Sequence, residues 1–325
     1  MKTKLVCLSL SLLMVAADAE AFNKAGRTAF SFVKIGVGAR QTAMGEAGIS
    51  VVRDVNAMFW NPAALSGIQS TEASFSYNRW FADLNYLAGA AAVRWPDVGI
   101  FGIGYTSLKY GDIDEALVQS PTGRSDTRTG STFTGSDLLV GLTFAREFTD
   151  NLSIGVTVKY LREKLFVYSS SAVAFDVGTY YDTQFRGIRF GMSFLNFSKS
   201  VKFIEYGLQR EGYDLPLVFR VGASIDLIKS GDAFIDVGDD HKMVVAIEAV
   251  NSNDFGERYH LGGEYTFMDF LALRGGYRFN YDEGSLSLGV GVRQQIGGLT
   301  VRADYSYVSY EFLESPQRVT ISLAY

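Results

Sequence analysis

The sequence is poor in the residues on which much protein chemistry depends. Its 325 positions hold one cysteine, two histidines and five prolines. A lone thiol excludes a disulfide framework, and so few thiols and imidazoles exclude structural zinc sites and covalent haem attachment. Charge of one sign is also missing: 30 Lys and Arg against 35 Asp and Glu leave a net charge of −5, with no basic footprint for nucleic acid. No apolar run reaches the roughly 20 residues that a membrane-crossing helix needs. No cofactor and no metal are expected. What is present is 34 Gly, 24 Phe and 18 Tyr in a chain of near-neutral mean hydropathy.

The first segment reads as an export signal. Lys2 and Lys4 precede an apolar-dominated run from Leu5 to Ala17, and Ala19-Glu20-Ala21 follows as a small-residue cleavage site. The run is too short to span as a helix, which disfavours an uncleaved anchor. Residues 1–21 are therefore assigned as a signal peptide. Its removal takes away Cys7, which lies too early for a lipoprotein cleavage site.

Beyond Ser70 the pattern has period two. Leu152, Ile154, Val156, Val158 and Tyr160 alternate with Ser153, Gly155, Thr157 and Lys159. Leu299, Val301, Ala303, Tyr305 and Tyr307 alternate with Thr300, Arg302, Asp304 and Ser306. Such alternation marks strands with one apolar face. About fourteen such segments are predicted, at 71–78, 84–95, 98–109, 136–147, 151–164, 172–183, 186–197, 216–228, 242–251, 258–267, 270–281, 284–295, 298–309 and 317–325. Most are longer than the roughly 5–6 residues of soluble strands and match the roughly 9–11 of a tilted membrane-spanning strand. The fold class predicted is all-β: a transmembrane antiparallel β-barrel of the bacterial outer membrane, in contact with its lipid. The rival, a secreted soluble all-β protein, leaves the strand length unexplained.

Connection lengths support the barrel. With the first strand rising from the periplasm, short inner turns are predicted at 96–97, 148–150, 184–185, 268–269 and 296–298, and long outer loops at 110–135 and 199–215. The 229–241 connection breaks this parity. The last strand puts Val319, Ile321, Leu323 and Tyr325 on one face. A chain ending on an aromatic in this register is similar to the C-terminal signature recognised by outer-membrane assembly machinery.

The face opposite the apolar one carries lumen charges: Arg189, Arg220, Asp226, Glu248, Glu264, Arg274, Arg278, Arg293, Arg302 and Asp304. Charges so balanced suit an internal salt-bridge network or a polar solute path, and either must pair or solvate them.

Before the barrel (70–325) lies a Gly-rich, partly apolar stretch, 22–69, assigned as an N-terminal plug. Phe32-Val33-Lys34-Ile35-Gly36-Val37-Gly38-Ala39-Arg40 leads to Ala43-Met44-Gly45, and then to Asp54-Val55-Asn56-Ala57 and Trp60-Asn61-Pro62-Ala63-Ala64-Leu65. This ordered pair of motifs resembles the N-terminal signature of the PorV/PorQ family of outer-membrane barrels, within the wider FadL-like class of fourteen-stranded barrels with a plug. The plug motif carried by the resemblance is Gly36, Gly38, Arg40, Met44, Gly45, Trp60, Asn61, Pro62 and Ala63. The family role it implies is an accessory, shuttle or docking part in type IX secretion, with partners that are secreted proteins carrying C-terminal signal domains, or other secretion components. Pro62 favours a turn and biases Asn61 toward extended backbone. Arg40 is expected to meet an inward carboxylate such as Glu248 or Glu264.

Trp80, Phe81, Trp95, Tyr180, Tyr181, Tyr277, Phe279 and Tyr281 fall near strand ends, where interface girdles are expected. Within or beside outer loops, Trp80, Phe81, Tyr206 and Tyr213 are the alternative candidates for partner anchors. His241 and His260 have no nucleophile motif near them, so no enzyme is expected. Asp232, Asp236, Asp239 and Asp240 match no calcium loop and read as a solvated turn. The competing function is passive transport of a hydrophobic small molecule. Such a channel wants apolar inward positions near the plug, whereas the inward strand positions are mostly charged, small or polar. That favours the secretion role, unless 22–69 itself supplies the apolar lining.

Overall fold

The alternation of apolar and small or polar residues becomes a wall with two unlike faces. The computed structural model describes residues 26–118, 126–205, 208–231 and 233–325; the assigned signal peptide lies outside them. In chain order the strands are β1 Thr71–Arg79, β2 Asn85–Trp95, β3 Gly99–Lys109, β4 Ile113–Val118, β5 Asp126–Phe133, β6 Gly135–Glu147, β7 Leu152–Leu165, β8 Tyr168–Asp182 and β9 Arg189–Ser198. They continue as β10 Val201–Glu205, β11 Leu208–Tyr213, β12 Val218–Ile228, β13 His241–Ser252, β14 Arg258–Phe267, β15 Leu271–Phe279, β16 Leu286–Ile296, β17 Leu299–Val308 and β18 Gln317–Ala324. Without the hairpins β4–β5 and β10–β11, fourteen strands pair antiparallel in sequence order, and β1 pairs with β18 to close the barrel. Closure leaves no sheet edge in lipid.

Strand faces follow the period. On β7, Ser153, Gly155, Thr157 and Lys159 point inward and are buried, while Val156, Val158 and Tyr160 are exposed on the outer wall. On β18, Arg318, Thr320 and Ser322 are buried and Val319, Ile321 and Leu323 exposed. Apolar side chains that a soluble protein would bury here face outward, as an outer-membrane barrel requires. The protein is thus a multi-pass outer-membrane β-barrel.

The connections at one end are short, at 96–98, 148–151, 183–188, 268–270 and 297–298, with 229–240 the long exception. At the other end, 110–134 and 199–217 are long but not structureless: they hold β4–β5 and β10–β11. These hairpins differ from the expectation of plain loops. β4 runs Ile113-Asp114-Glu115-Ala116-Leu117-Val118 and β10 Val201-Lys202-Phe203-Ile204-Glu205, so the strict alternation that reveals a lipid-facing strand is missing.

Residues 26–69 lie inside the barrel. Short 3₁₀ turns at Ser31–Lys34, Val55–Phe59 and Pro62–Gly67 and one short helix, α1 (Ala39–Ala43), make up the segment. Phe30, Met44, Leu65 and Ile68 are fully buried. α1 rests on β15–β18, and Pro62–Gly67 rests on β6–β8. The wall makes room with glycine. A Cβ added at Gly155 would lie 2.3 Å from the Pro62 carbonyl carbon, and one at Gly276 would lie 2.0 Å from the Gly45 nitrogen. Inward glycines on these strands are places where two backbones touch.

Candidate functional site

The segment begins its hold on the barrel through side chains that cap its own turns. Asp54 accepts from the Asn56 amide at 3.0 Å and opens the turn at Val55. Asn61, extended before Pro62 at φ −147° and ψ 101°, accepts from the Ala63 amide at 3.1 Å and donates to the Thr179 carbonyl of β8 at 2.9 Å. One residue therefore starts a turn and ties it to the wall. Trp60 donates from Nε1 to the Val37 carbonyl at 2.9 Å, fastening the two motif stretches together.

Charged groups then join segment to strand. Arg40 grips Glu264 bidentately at 2.8 and 2.6 Å and reaches Asp54 at 3.6 Å. Arg274 joins Glu264 at 2.5 Å to Asp304 at 2.7 Å, and Arg302 binds Asp54 at 3.2 Å. Of the two carboxylates expected for Arg40, Glu248 is instead taken by Arg220 at 2.6 Å and by the Ile49 amide at 3.2 Å. A second knot centres on Glu46, which meets Arg278 at 3.1 Å and Arg220 at 3.8 Å. Burial alone would lift the Glu46 carboxyl, and the Arg278 and Arg220 guanidiniums outweigh it, holding it below the ordinary carboxylate range. Arg220 also lies over the Trp60 ring, 4.7 Å from its centroid. Buried ions so arranged are paired rather than left facing an open bore.

The segment divides the lumen into two unlike spaces. The outer cavity, about 430 Å³, is walled by Phe32, Ile35, Val37 and Phe59 of the segment and by Leu108 and Leu139 of the strands. Trp80, Phe81, Tyr281 and Tyr310 complete it toward the surface, and Arg220 and Arg278 lie on its floor. The inner cavity, about 290 Å³, is lined by Arg40, Arg189, Asp226, Glu264, Arg293 and Arg302 among others. Arg189 pairs there with Asp226. The outer space is mostly aromatic and aliphatic, with Lys34, Lys159 and Arg258 also on its lining, and the inner one is rich in paired ions.

Several residues sit elsewhere than the sequence suggested. Trp80 and Phe81 are not free loop anchors: they pack on each other, with centroids 5.2 Å apart, and on Tyr310. Tyr281 lines the cavity and Tyr180 is buried against Arg53, so neither belongs to a lipid girdle, whereas Trp95, Tyr181, Tyr277 and Phe279 are exposed on the outer wall. For Tyr180 the reason is strand parity, whereas Tyr281 lies beyond the end of β15, after Asn280 at φ +62° has turned the chain out of the strand. Tyr213 ends β11 half-exposed, and Tyr206 lies outside the described residues. Arg293 is solvent-exposed at the inner end of β16, directly opposite Arg302. Gly36 is hemmed in by the side chains of Thr42, Glu46 and Trp60, Gly45 by the backbone of β14 and β15, and Gly38 and Gly45 hold φ of +87° and +63°. Met44 is fully buried and Ala63 packs with Tyr180.

Sequence reasoning missed the partners contributed by the segment and loops: Lys34 reaches Asp254 at 2.5 Å across 220 positions. Within the wall, the inward Lys159 meets Asp176 at 2.5 Å and Asn196 at 3.0 Å. Asn196 stands at φ +66° where the β8–β9 register shifts, a bulge that turns it inward. His241 and His260 bond Tyr265 and Tyr281 at 2.6 and 2.9 Å. Asp236 accepts from the Gly231 and Gly238 amides, closing its own turn, while Asp232 lies outside the described residues. Among the described residues no three His, Cys, Asp or Glu come together as a metal site.

No protein-family model matches the chain, and no curated protein matches its sequence. Solved structures match its fold. The Ralstonia pickettii toluene transporter TbuX is 16% identical with a TM-score of 0.55, covering 89% of this chain and 97% of its own. The Pseudomonas putida toluene transporter TodX is 13% identical with a TM-score of 0.59, over 89% and 97%. A Pseudomonas aeruginosa FadL homologue is 12% identical with a TM-score of 0.53, over 89% and 98%.

Proposed function

We propose that the protein is a passive channel for small hydrophobic compounds, with 22–69 as a plug inside a barrel of 70–325; it shares the FadL-like barrel fold with two toluene transporters and a FadL homologue. None of the three is a secretion-associated barrel, so the likeness supports that class and not its PorV/PorQ branch. The observation that carries this reading is the outer cavity: about 430 Å³ between segment and wall, lined largely by aromatic and aliphatic side chains. A cavity of this size and lining suits an apolar solute of monoaromatic dimensions. Inward strand positions alone argued against such a channel. The objection weakens because Phe32, Ile35, Val37 and Phe59 of the segment supply much of the apolar surface.

The test is uptake of radiolabelled toluene by cells lacking their own hydrocarbon channel. Expression is expected to raise uptake above the empty vector. Leu139→Arg, which sets a charge in the cavity wall, returns uptake to background while the barrel keeps its heat-modifiable mobility. Uptake equal to the empty vector for the unaltered protein overturns the reading.

A further inference from the structure

One guanidinium is left out of the internal pairing. Arg318 on β18 points inward and is 2% exposed, yet Nε and Nη1 find no hydrogen-bond partner. Among the described residues no carboxylate lies within 4.0 Å of it. The nearby acids are engaged: Glu46 by Arg278 and Arg220, Glu248 by Arg220. Asn78 sits directly opposite Arg318 on β1, is 1% exposed, and its Oδ1 and Nδ2 are likewise without partners. Across β1, Tyr86 is registered with Asn78. The Trp80 ring, a wall of the outer cavity, lies 5.3 Å from the guanidinium.

A buried charge without a counter-charge costs several kcal/mol, and a buried amide with neither end bonded adds to it. Two such groups face to face on neighbouring strands form a donor set in search of an acceptor. We propose that Arg318 and Asn78 form an anion subsite behind Trp80, which takes one monoanionic group. A single uncompensated positive charge selects a monoanion over a dianion. The guanidinium and the Asn78 amide each offer a donor, suited to a carboxylate or a halide. The group has two possible sources: a carboxylate whose apolar body rests on Trp80, Phe81 and Tyr310, or a free small anion held at the seam. The subsite does not depend on the channel reading, since it holds its anion whether or not solute passes.

The test uses the full-length mature protein in an uncharged maltoside, with benzoate, toluene and sodium bromide as calorimetric probes. Benzoate is expected to bind, and Arg318→Met to weaken it by at least about tenfold, the scale of a lost charged hydrogen bond, while toluene binding is unchanged. Asn78→Leu, a milder change, weakens benzoate in the same direction and serves if Arg318→Met fails to assemble. Bromide that binds alone and displaces benzoate identifies a free anion as the occupant. Benzoate binding indifferent to bromide identifies a carboxylate on an apolar body. Either result supports the subsite. Benzoate and bromide that bind the unaltered protein and both variants equally, or bind none of them, overturn it. Failed toluene uptake by cells removes the channel reading and leaves this result standing.

Discussion

A strand position can hold a glycine because nothing needs to be there or because something already is. Gly89, facing outward on β2, and Gly276, facing inward on β15, separate the cases. A Cβ at Gly89 meets only the Ser74 carbonyl oxygen at 3.7 Å, whereas one at Gly276 would sit 2.0 Å from the Gly45 nitrogen and 2.1 Å from the Met44 carbonyl carbon. Backbone cannot swing aside as a long side chain can. Gly276→Ala is therefore expected to cost about 1–3 kcal/mol, the range for overpacking, and Gly89→Ala close to nothing. Urea unfolding followed by the heat-modifiable fraction checks both. The residue scale was also the least legible in sequence. Trp80 and Arg318 have unremarkable local contexts, and their significance comes from Tyr310 and Asn78, neighbours set by barrel closure.

Elements read more clearly, because a strand in lipid must announce itself by period. The fourteen wall strands lie within a few residues of their predicted bounds, as β14 at Arg258–Phe267 shows. The outer hairpins β4–β5 and β10–β11 were missed because strands beyond the bilayer are under no such rule. Invisible too was the tie between the first turn of the segment and the loop after β13. Lys34 and the Thr28 hydroxyl both bond Asp254, and Ser252 adds a third donor. Burial pulls the Asp254 carboxyl up, but these partners outweigh it and hold its pKa below the ordinary value. A carboxyl depressed in the folded state stabilises fully above its unfolded pKa of about 3.9 and loses that contribution as pH falls through the folded value. Hydrogen exchange at residues 28–34 is thus expected to stay slow from neutral pH down to about pH 4 and to rise below it. In Asp254→Asn it should be fast throughout; equal exchange in both proteins at neutral pH sinks the assignment.

For the whole molecule, near-neutral mean hydropathy is the average of an apolar outer wall and an ionic interior. Reversing one face tests the arrangement. Val158 on β7 is exposed toward lipid beside buried Lys159. Val158→Arg is expected to destabilise the barrel by about 2–4 kcal/mol, the cost of a cation on the lipid face near mid-membrane, as measured by reversible unfolding in lipid vesicles. Fold class was legible because the bilayer enforces one rule on every strand. The solute was not, because the outer cavity draws on Phe32 and Val37, Leu108 and Leu139, and Tyr281 and Tyr310, which only the closed barrel brings together.

The β1–β18 seam has a consequence for how such a molecule is made. It joins the first strand to the last, so the ring cannot shut until the whole chain has arrived, and long-range pairings of this kind form late. By then residues 26–69 must already occupy the interior, because glycine-to-backbone contact leaves no clearance for threading afterwards. The segment is in effect a mandrel around which the wall is rolled. A poor fit between the two would then appear as stalled assembly before it appeared as a weaker finished protein.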